Sequence, residues 1–185
     1  TTFAYTDTGF PARVDVQDLI SGQTRMTVYT YTWHPNGLPA TITVDAPSPD
    51  GDIVETWSTS GDLLQVRNAA GHVTTLAAHN ARGQPGRITT PAGAVTEYVY
   101  DARGRTLVER TFPSGVPVET RYIYGASGLL EAVQSADGNT VLFHHDAARR
   151  LVQEDMTEPD GAFAVRRTTY NAMSQPIKVE TGRDQ

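Results

Sequence analysis

The sequence of 185 residues contains no cysteine and a single lysine, Lys178. Without cysteine there is no disulfide stapling and no thiolate metal site; the compartment stays open, because many secreted bacterial proteins lack disulfides. No apolar run approaches the roughly eighteen residues of a membrane-spanning helix, and no long stretch keeps the 3.6-residue apolar period of an amphipathic helix. Hydrophobic residues make up only 38% and aromatics 8% of a chain long enough to bury an ordinary core. The formal net charge of -6 argues against nucleic acid as a partner, since phosphate binding needs a basic stripe. The arginine pairs Arg149-Arg150 and Arg166-Arg167 stand isolated and read as gatekeepers on strand edges. Also missing are a Gly-x-Ser-x-Gly elbow, a phosphate loop and a His-Glu-x-x-His pair.

What the chain has instead is near-repetition. An aromatic or imidazole recurs at Tyr5, Trp33, Trp57, His79, Tyr100, Tyr124, His145 and Tyr170, at spacings of 21 to 28 residues, within the range of repeat architectures. Four residues after each ring comes Gly9, Gly37, Gly61, Gly83, Gly104 or Gly128, with Arg149 and Ser174 as departures. Two further on is Pro or Leu in seven units (Pro11, Pro39, Leu63, Pro85, Leu130, Leu151, Pro176), with Thr106 in the other. Three beyond that sits Val14, Ile42, Val66, Ile88, Val133 or Val179. Glu109 and Glu154 break this last slot, each after a Leu-Val pair, and predict shifted or bulged strands in their units.

The punctuation defines the unit. After the β-branched slot come Ser21-Gly22, Asp50-Gly51, Ala70-Gly71, Ala92-Gly93, Ser114-Gly115, Asp137-Gly138 and Asp160-Gly161. Glycine supplies the positive φ of a tight turn, and Asp before it favours a two-residue hairpin loop. Asp45-Ala46-Pro47-Ser48-Pro49-Asp50 reads as an enlarged tip of the same kind. A second run rich in Thr, Val and aromatics, such as Val118-Glu119-Thr120-Arg121-Tyr122-Ile123-Tyr124, then leads to the next ring. Each unit is therefore a β-hairpin, and the fold class is all-β: repeated antiparallel hairpins joined into one continuous ribbon. A parallel β-helix has coils of similar length but bends in place of hairpin tips. A sandwich shows regular turns but does not require rings and glycines to recur in phase.

Alternation along a strand puts Phe3 with Tyr5, Tyr31 with Trp33, Tyr98 with Tyr100, Tyr122 with Tyr124 and Phe143 with His145 on one face, as a ladder of stacked rings. Arginine suits stacking on such rings. In a ribbon exposed on both sides, stability leans on cross-strand pairs, each contributing roughly 0.2–1 kcal/mol.

Candidate chemistry is sparse. In His144-His145-Asp146 adjacent residues of a strand face opposite ways and cannot chelate together; His145 fills the ring slot and Asp146 the position after it. His79 is likewise a ring-slot residue, His34 lies in the turn before Gly37, and His72 follows Gly71. Glu154, Asp155, Glu158 and Asp160 surround a hairpin tip and read as a solvated turn, whereas paired-carboxylate hydrolysis needs two groups converging on one cleft. The sequence predicts no catalytic residue, no metal ligand and no cofactor.

The run Tyr100-Asp101-x-x-Gly104-Arg105, the Leu at Leu130 and Leu151, the turn glycine and the closing Tyr98-Val99-Tyr100 resemble the tyrosine-aspartate (YD) repeats of the Rhs family, found in bacterial Rhs polymorphic toxins, Tc toxin shell components and teneurins. The resemblance covers essentially the whole chain, although Asp follows the ring only at Asp101 and Asp146. It implies a spirally wound ribbon forming part of a hollow shell. Residues 1-185 would be a single segment of tandem hairpins, cut mid-repeat at both ends of a larger protein. Its function would be structural and non-enzymatic: enclosing or presenting a C-terminal toxin domain of a secreted or cell-surface bacterial protein. Partners would be the other repeats and the toxin domain of the same parent, with a secretion-apparatus component or a cell-surface glycan beyond them. The absence of an Asn-x-Ser/Thr acceptor favours a bacterial shell over an extracellular animal one. The alternative is a carbohydrate-binding or adhesion module on the same scaffold. Tyr5, Gly9, Trp33, Gly37, Trp57, Gly61, His79, Gly83, Tyr100, Asp101, Gly104, Tyr124, Gly128, His145, Asp146 and Tyr170 would then carry the repeat signature, as structural residues.

Overall fold

Thr, Val, Ile and aromatics dominate the runs between turns, as suits a pleated, half-buried surface. The computed structural model describes residues 1–46, 51–158, 161 and 163–184. Among the described residues sixteen strands follow one another along the chain, strands next in sequence being hydrogen-bonded neighbours within each unit, and no helix occurs.

The chain divides into two compact units, Thr1–Val95 and Thr96–Gln185. The first holds β1 (Thr2–Tyr5), β2 (Pro11–Gln17), β3 (Thr24–Trp33), β4 (Pro39–Asp45), β5 (Ile53–Trp57), β6 (Leu63–Arg67), β7 (Val73–Ala77) and β8 (Arg87–Thr89). The second holds β9 (Val95–Tyr100), β10 (Thr106–Thr111), β11 (Val118–Tyr124), β12 (Leu130–Gln134), β13 (Thr140–His145), β14 (Leu151–Thr157), β15 (Phe163–Tyr170) and β16 (Pro176–Asp184). Within each unit every ladder is antiparallel, which removes the parallel β-helix.

The hairpin loops hold three residues where the sequence suggested two. Asp101 N donates to Arg105 O and Gly104 N to Asp101 O, both at 2.9 Å. Gly104 sits at φ 82°. A left-handed glycine as third loop residue matches the strand twist. The same bonds close the distal tips at Asn68–His72, Thr90–Ala94 and Ser135–Asn139. Asp137 thus occupies the second loop position and Gly138, at φ 91°, the third. Asp18–Gln23 closes one residue longer. Pro47, Ser48, Pro49, Asp50 and Asp160 lie outside the described residues, and with them most of the enlarged tip expected over 45–50.

Register corrects a second expectation. In seven of the eight hairpins the residue two before the ring faces the residue nine after it: Phe3↔Val14, Tyr31↔Ile42, Glu55↔Val66, Tyr98↔Glu109, Tyr122↔Val133, Phe143↔Glu154 and Thr168↔Val179. A bulge next to the ring is common to all seven, so Glu109 and Glu154 occupy ordinary in-register positions. The irregular hairpin is the eighth, where Ile88 faces Leu76, three before His79. The extra residue is taken up at Ala78, at φ 55°, whose carbonyl accepts from Gly86 N at 3.1 Å. A Cβ on Gly86 would come within 2.6 Å of that carbonyl, so glycine is required there.

The arginine pairs are not edge gatekeepers. β15, which carries Arg166 and Arg167, is paired on both sides, and Arg149 and Arg150 lie in a hairpin loop. Among the described residues Ala132, 6% exposed, is the one buried apolar side chain.

Candidate functional site

The repeated feature with chemistry is the ring-side hairpin end. The ring residue is the last of its strand in β1, β3, β5, β9, β11, β13 and β15; His79 lies two residues past β7 because of the Ala78 bulge. The loop glycines Gly9, Gly37, Gly61, Gly83, Gly104 and Gly128 all have φ between 75° and 86°. Arg149 and Ser174 adopt the same left-handed conformation at 65° and 61°, which costs a side-chain-bearing residue roughly 1–2 kcal/mol.

The residue after the ring opens the loop, and its side chain accepts bonds from the loop backbone. Asp101 Oδ1 receives Arg103 N at 2.8 Å and Arg105 N at 2.9 Å. Asp146 receives Arg150 N at 3.0 Å, Asn171 receives Met173 N and Gln175 N at 3.0 Å, and Asn80 receives Arg82 N at 2.9 Å. Hydroxyls do the same: Phe10 N donates to Thr6 Oγ1 and Asp62 N to Ser58 Oγ, both at 3.0 Å. Short polar side chains at a turn entrance compete well for such bonds. Two units differ. His34 extends its Nε2 to within 2.9 Å of Trp57 O. Gly125 has no side chain, and the Glu131 carboxylate fills the space its Cβ would take.

The residue closing the loop, five after the ring, reaches the next unit. The Arg105 guanidinium is held by Asp101 (Nη2–Oδ2 2.6 Å), lies 4.2 Å from the centroid of the Tyr124 ring and donates to Gly128 O at 3.2 Å. Arg150 repeats this with Asp146 (2.6 Å), the Tyr170 ring (4.9 Å) and Asn171 O (3.3 Å). In the first unit Phe10 takes this position and meets the Trp33 ring edge-on at 5.1 Å, with Tyr31 stacked on Trp33 at 5.3 Å. In the second unit Tyr98 and Tyr100 stack at 6.1 Å. Phe3 and Tyr5, on β1, are about three-fifths exposed (60% and 61%).

Electrostatics follow the hydrogen bonds. Asp101 is held below the usual carboxylate range chiefly by the Arg105 backbone N–H, and Asp146 chiefly by the Arg150 side chain. Glu119 is lowered by the Arg110 guanidinium at 2.7 Å. Burial pushes Tyr31, Tyr98, Tyr100 and Tyr122 upward.

The histidines and acids separate. His144 Nε2 stands 2.7 Å from Asp155 Oδ2, while Asp146 turns to Arg150. Glu154 pairs with Arg166 at 2.8 Å and Glu158 with Arg183 at 3.0 Å. No group of three or more His, Asp or Glu among the described residues is placed to hold a metal ion. Sequence reasoning found the slot after the ring only at Asp101 and Asp146, and missed both its general character as an acceptor and the bracing role of the residue five after the ring. Thr6, Ser58, Asn80, Asp101, Asp146 and Asn171 are all loop-capping types, and that shared chemistry was the available signal.

The RHS repeat family matches at residues 79–117 and 100–140. No curated protein matches the sequence. Among solved structures the chain is similar to TcdB2-TccC3-Cdc42 (TM-score 0.61, 14% identity, covering 94% of this chain and 12% of that one). TcdB2-TccC3 without its hypervariable C-terminal region is similar too (TM-score 0.60, 13% identity, 94% and 12%). So is a mutant of the Photorhabdus luminescens Tc holotoxin pore (TM-score 0.50, 12% identity, 95% and 13%). The chain thus spans about an eighth of the length of these neighbours.

Proposed function

We propose that this chain, whose residues 79–140 are RHS repeats, is a length of wall in a toxin-complex shell that encloses or presents a toxin domain of a longer secreted bacterial protein. The observation that supports it most is the brace from one hairpin to the next, through Arg105 to Tyr124 and Arg150 to Tyr170. Such a brace ties neighbouring hairpins together at their ring-side ends and makes the sheet a surface rather than a string of hairpins. Its chemistry is structural: the ring, acceptor, glycine and arginine are spent on one another. On this reading residues 1–185 are one segment of tandem repeats, and the sixteen signature residues from Tyr5 to Tyr170 hold the wall together without catalysis.

The test is limited proteolysis of the longer polypeptide with and without residues 1–185. Enclosure requires the toxin domain to be cut much faster once the segment is deleted. Equal rates would remove enclosure and favour the adhesion reading, for which the exposed rings of Phe3 and Tyr5 are the supporting observation. A glycan array on the isolated chain then tests that second reading directly.

A further inference from the structure

Two hairpins carry a carboxylate where the others have Val or Ile, and they treat it differently. Glu154 faces Phe143 on one side and Arg166 on the other, and Arg166 Nη1 donates to Glu154 Oε2 at 2.8 Å. Glu109 faces Tyr98 on one side and Thr120 on the other. Threonine therefore stands where the second hairpin supplies a guanidinium. Two residues further along, Thr168 of that hairpin is replaced by Tyr122, whose hydroxyl donates to Glu109 Oε2 at 3.3 Å. No ion pair reaches Glu109 among the described residues.

Glu109, Tyr98 and Tyr122 thus place a half-buried carboxylate among tyrosine rings on one face of the sheet, with no cation of its own. The same chain twice shows what fits such a setting: Arg105 and Arg150 each sit against a carboxylate and over a tyrosine ring. Ring faces and a carboxylate both attract a cation, and the planar guanidinium can stack and bond at once. Both tyrosines are raised by burial first and by Glu109 second, in keeping with rings placed beside a carboxyl group.

We propose that Glu109, Tyr98 and Tyr122 form a binding site for the arginine side chain of a partner peptide lying along this face of the sheet. This face of the sheet is then a selective surface at this point, holding a basic segment of another polypeptide. The assignment stands on local geometry and does not depend on the shell reading.

The experiment titrates acetyl-Gly-Arg-Gly-amide into the intact chain and follows the ring signals of Tyr98 and Tyr122 by nuclear magnetic resonance, assigned from Tyr98→Phe and Tyr122→Phe variants. Saturable shifts of both rings are expected, weakened about tenfold in Glu109→Gln, as the loss of a charge-assisted bond predicts. Thr120→Arg, which rebuilds the Arg166 arrangement in the chain itself, should abolish the response while Glu154→Gln leaves it intact. Circular dichroism checks that each variant keeps its β-structure. No shift in the unaltered chain, undiminished binding to Glu109→Gln, or equal binding of an uncharged control peptide with citrulline in place of arginine would overturn the site.

Discussion

The units Thr1–Val95 and Thr96–Gln185 build the same hairpin with different chemistry. In the first, the ring-side loops open on neutral acceptors, Thr6, Ser58 and Asn80, and the brace to Trp33 is the phenyl ring of Phe10. In the second, two of the loops open on carboxylates, and the braces to Tyr124 and Tyr170 are arginines clamped by Asp101 and Asp146. What stays constant is the left-handed residue fourth after the ring, and six of the eight units add a short acceptor directly after the ring. Residue identity is free within those limits. The match to RHS repeats falls mostly in the second unit, over 79–140, which includes the one hairpin of tyrosine-aspartate-arginine form, Tyr100-Asp101 with Arg105.

Ring truncation is the strongest way to break this comparison. Trp33→Ala and Tyr124→Ala should each cost about 2 kcal/mol, below the range of about 3–5 kcal/mol for fully buried aromatics because both rings stay part-exposed. Chemical denaturation of each variant measures it. If Tyr124→Ala costs much more than Trp33→Ala, the ionic brace outweighs the aromatic one and the two are not equivalents.

Acid should separate the units next. Asp101 and Asp146 have folded-state values below their unfolded ones. Their contribution is therefore complete above the ordinary carboxylate range and is lost as pH falls through the lowered values. The acceptors Thr6, Ser58 and Asn80 do not titrate. Amide hydrogen exchange followed down the pH scale should show the loops at 101–105 and 146–150 loosening while those at 6–10, 58–62 and 80–84 hold. In the first unit Asp18, lowered by the Ile20 and Ser21 backbone N–H groups, is the exception, at the β2–β3 tip. Asp101→Asn and Asp146→Asn should erase the difference; persistence of acid loosening in both variants would assign it elsewhere.

The smallest effect sharpens the positional rule. Ser174→Gly, at φ 61°, should stabilise the chain by about 0.5–1 kcal/mol, since glycine adopts the left-handed conformation without strain. Gly104→Ala, at φ 82°, should cost about 1 kcal/mol. Thermal melting of the pair reads both signs, and a destabilised Ser174→Gly would mean that the hydroxyl's bond with Arg150 Nη1, 3.3 Å away, matters more than the backbone.

The hairpin ribbon was legible because rings, glycines and β-branched residues keep phase over eight units, and period-2 strands leave that trace in a sequence. Loop length was misjudged because Asp137-Gly138 fits a two-residue and a three-residue loop alike; only the bonds from Gly138 N to Ser135 O and from Ser135 N to Asn139 O decide. The bulge was assigned to Glu109 and Glu154 because a polar residue in an apolar slot looks like a shifted strand. The actual shift, at Ala78, hides behind a hairpin whose slots all appear filled, since one extra residue before His79 leaves the spacing after it unchanged. The site at Glu109 was invisible for another reason: that Thr120 stands opposite it, and Arg166 opposite Glu154, is a fact of pairing between strands and not of spacing along one.

Because every strand's partners are its immediate neighbours in the chain, the route by which this sheet assembles differs from that of most all-β folds. Each step closes a short loop, whose entropic cost is small, and no strand waits for a distant partner to be synthesised. Hairpins form in about 1–10 μs, and any of the eight can start the sheet, with growth by addition to either side as in other arrays with nearest-neighbour coupling. Folding should then be fast for an all-β chain.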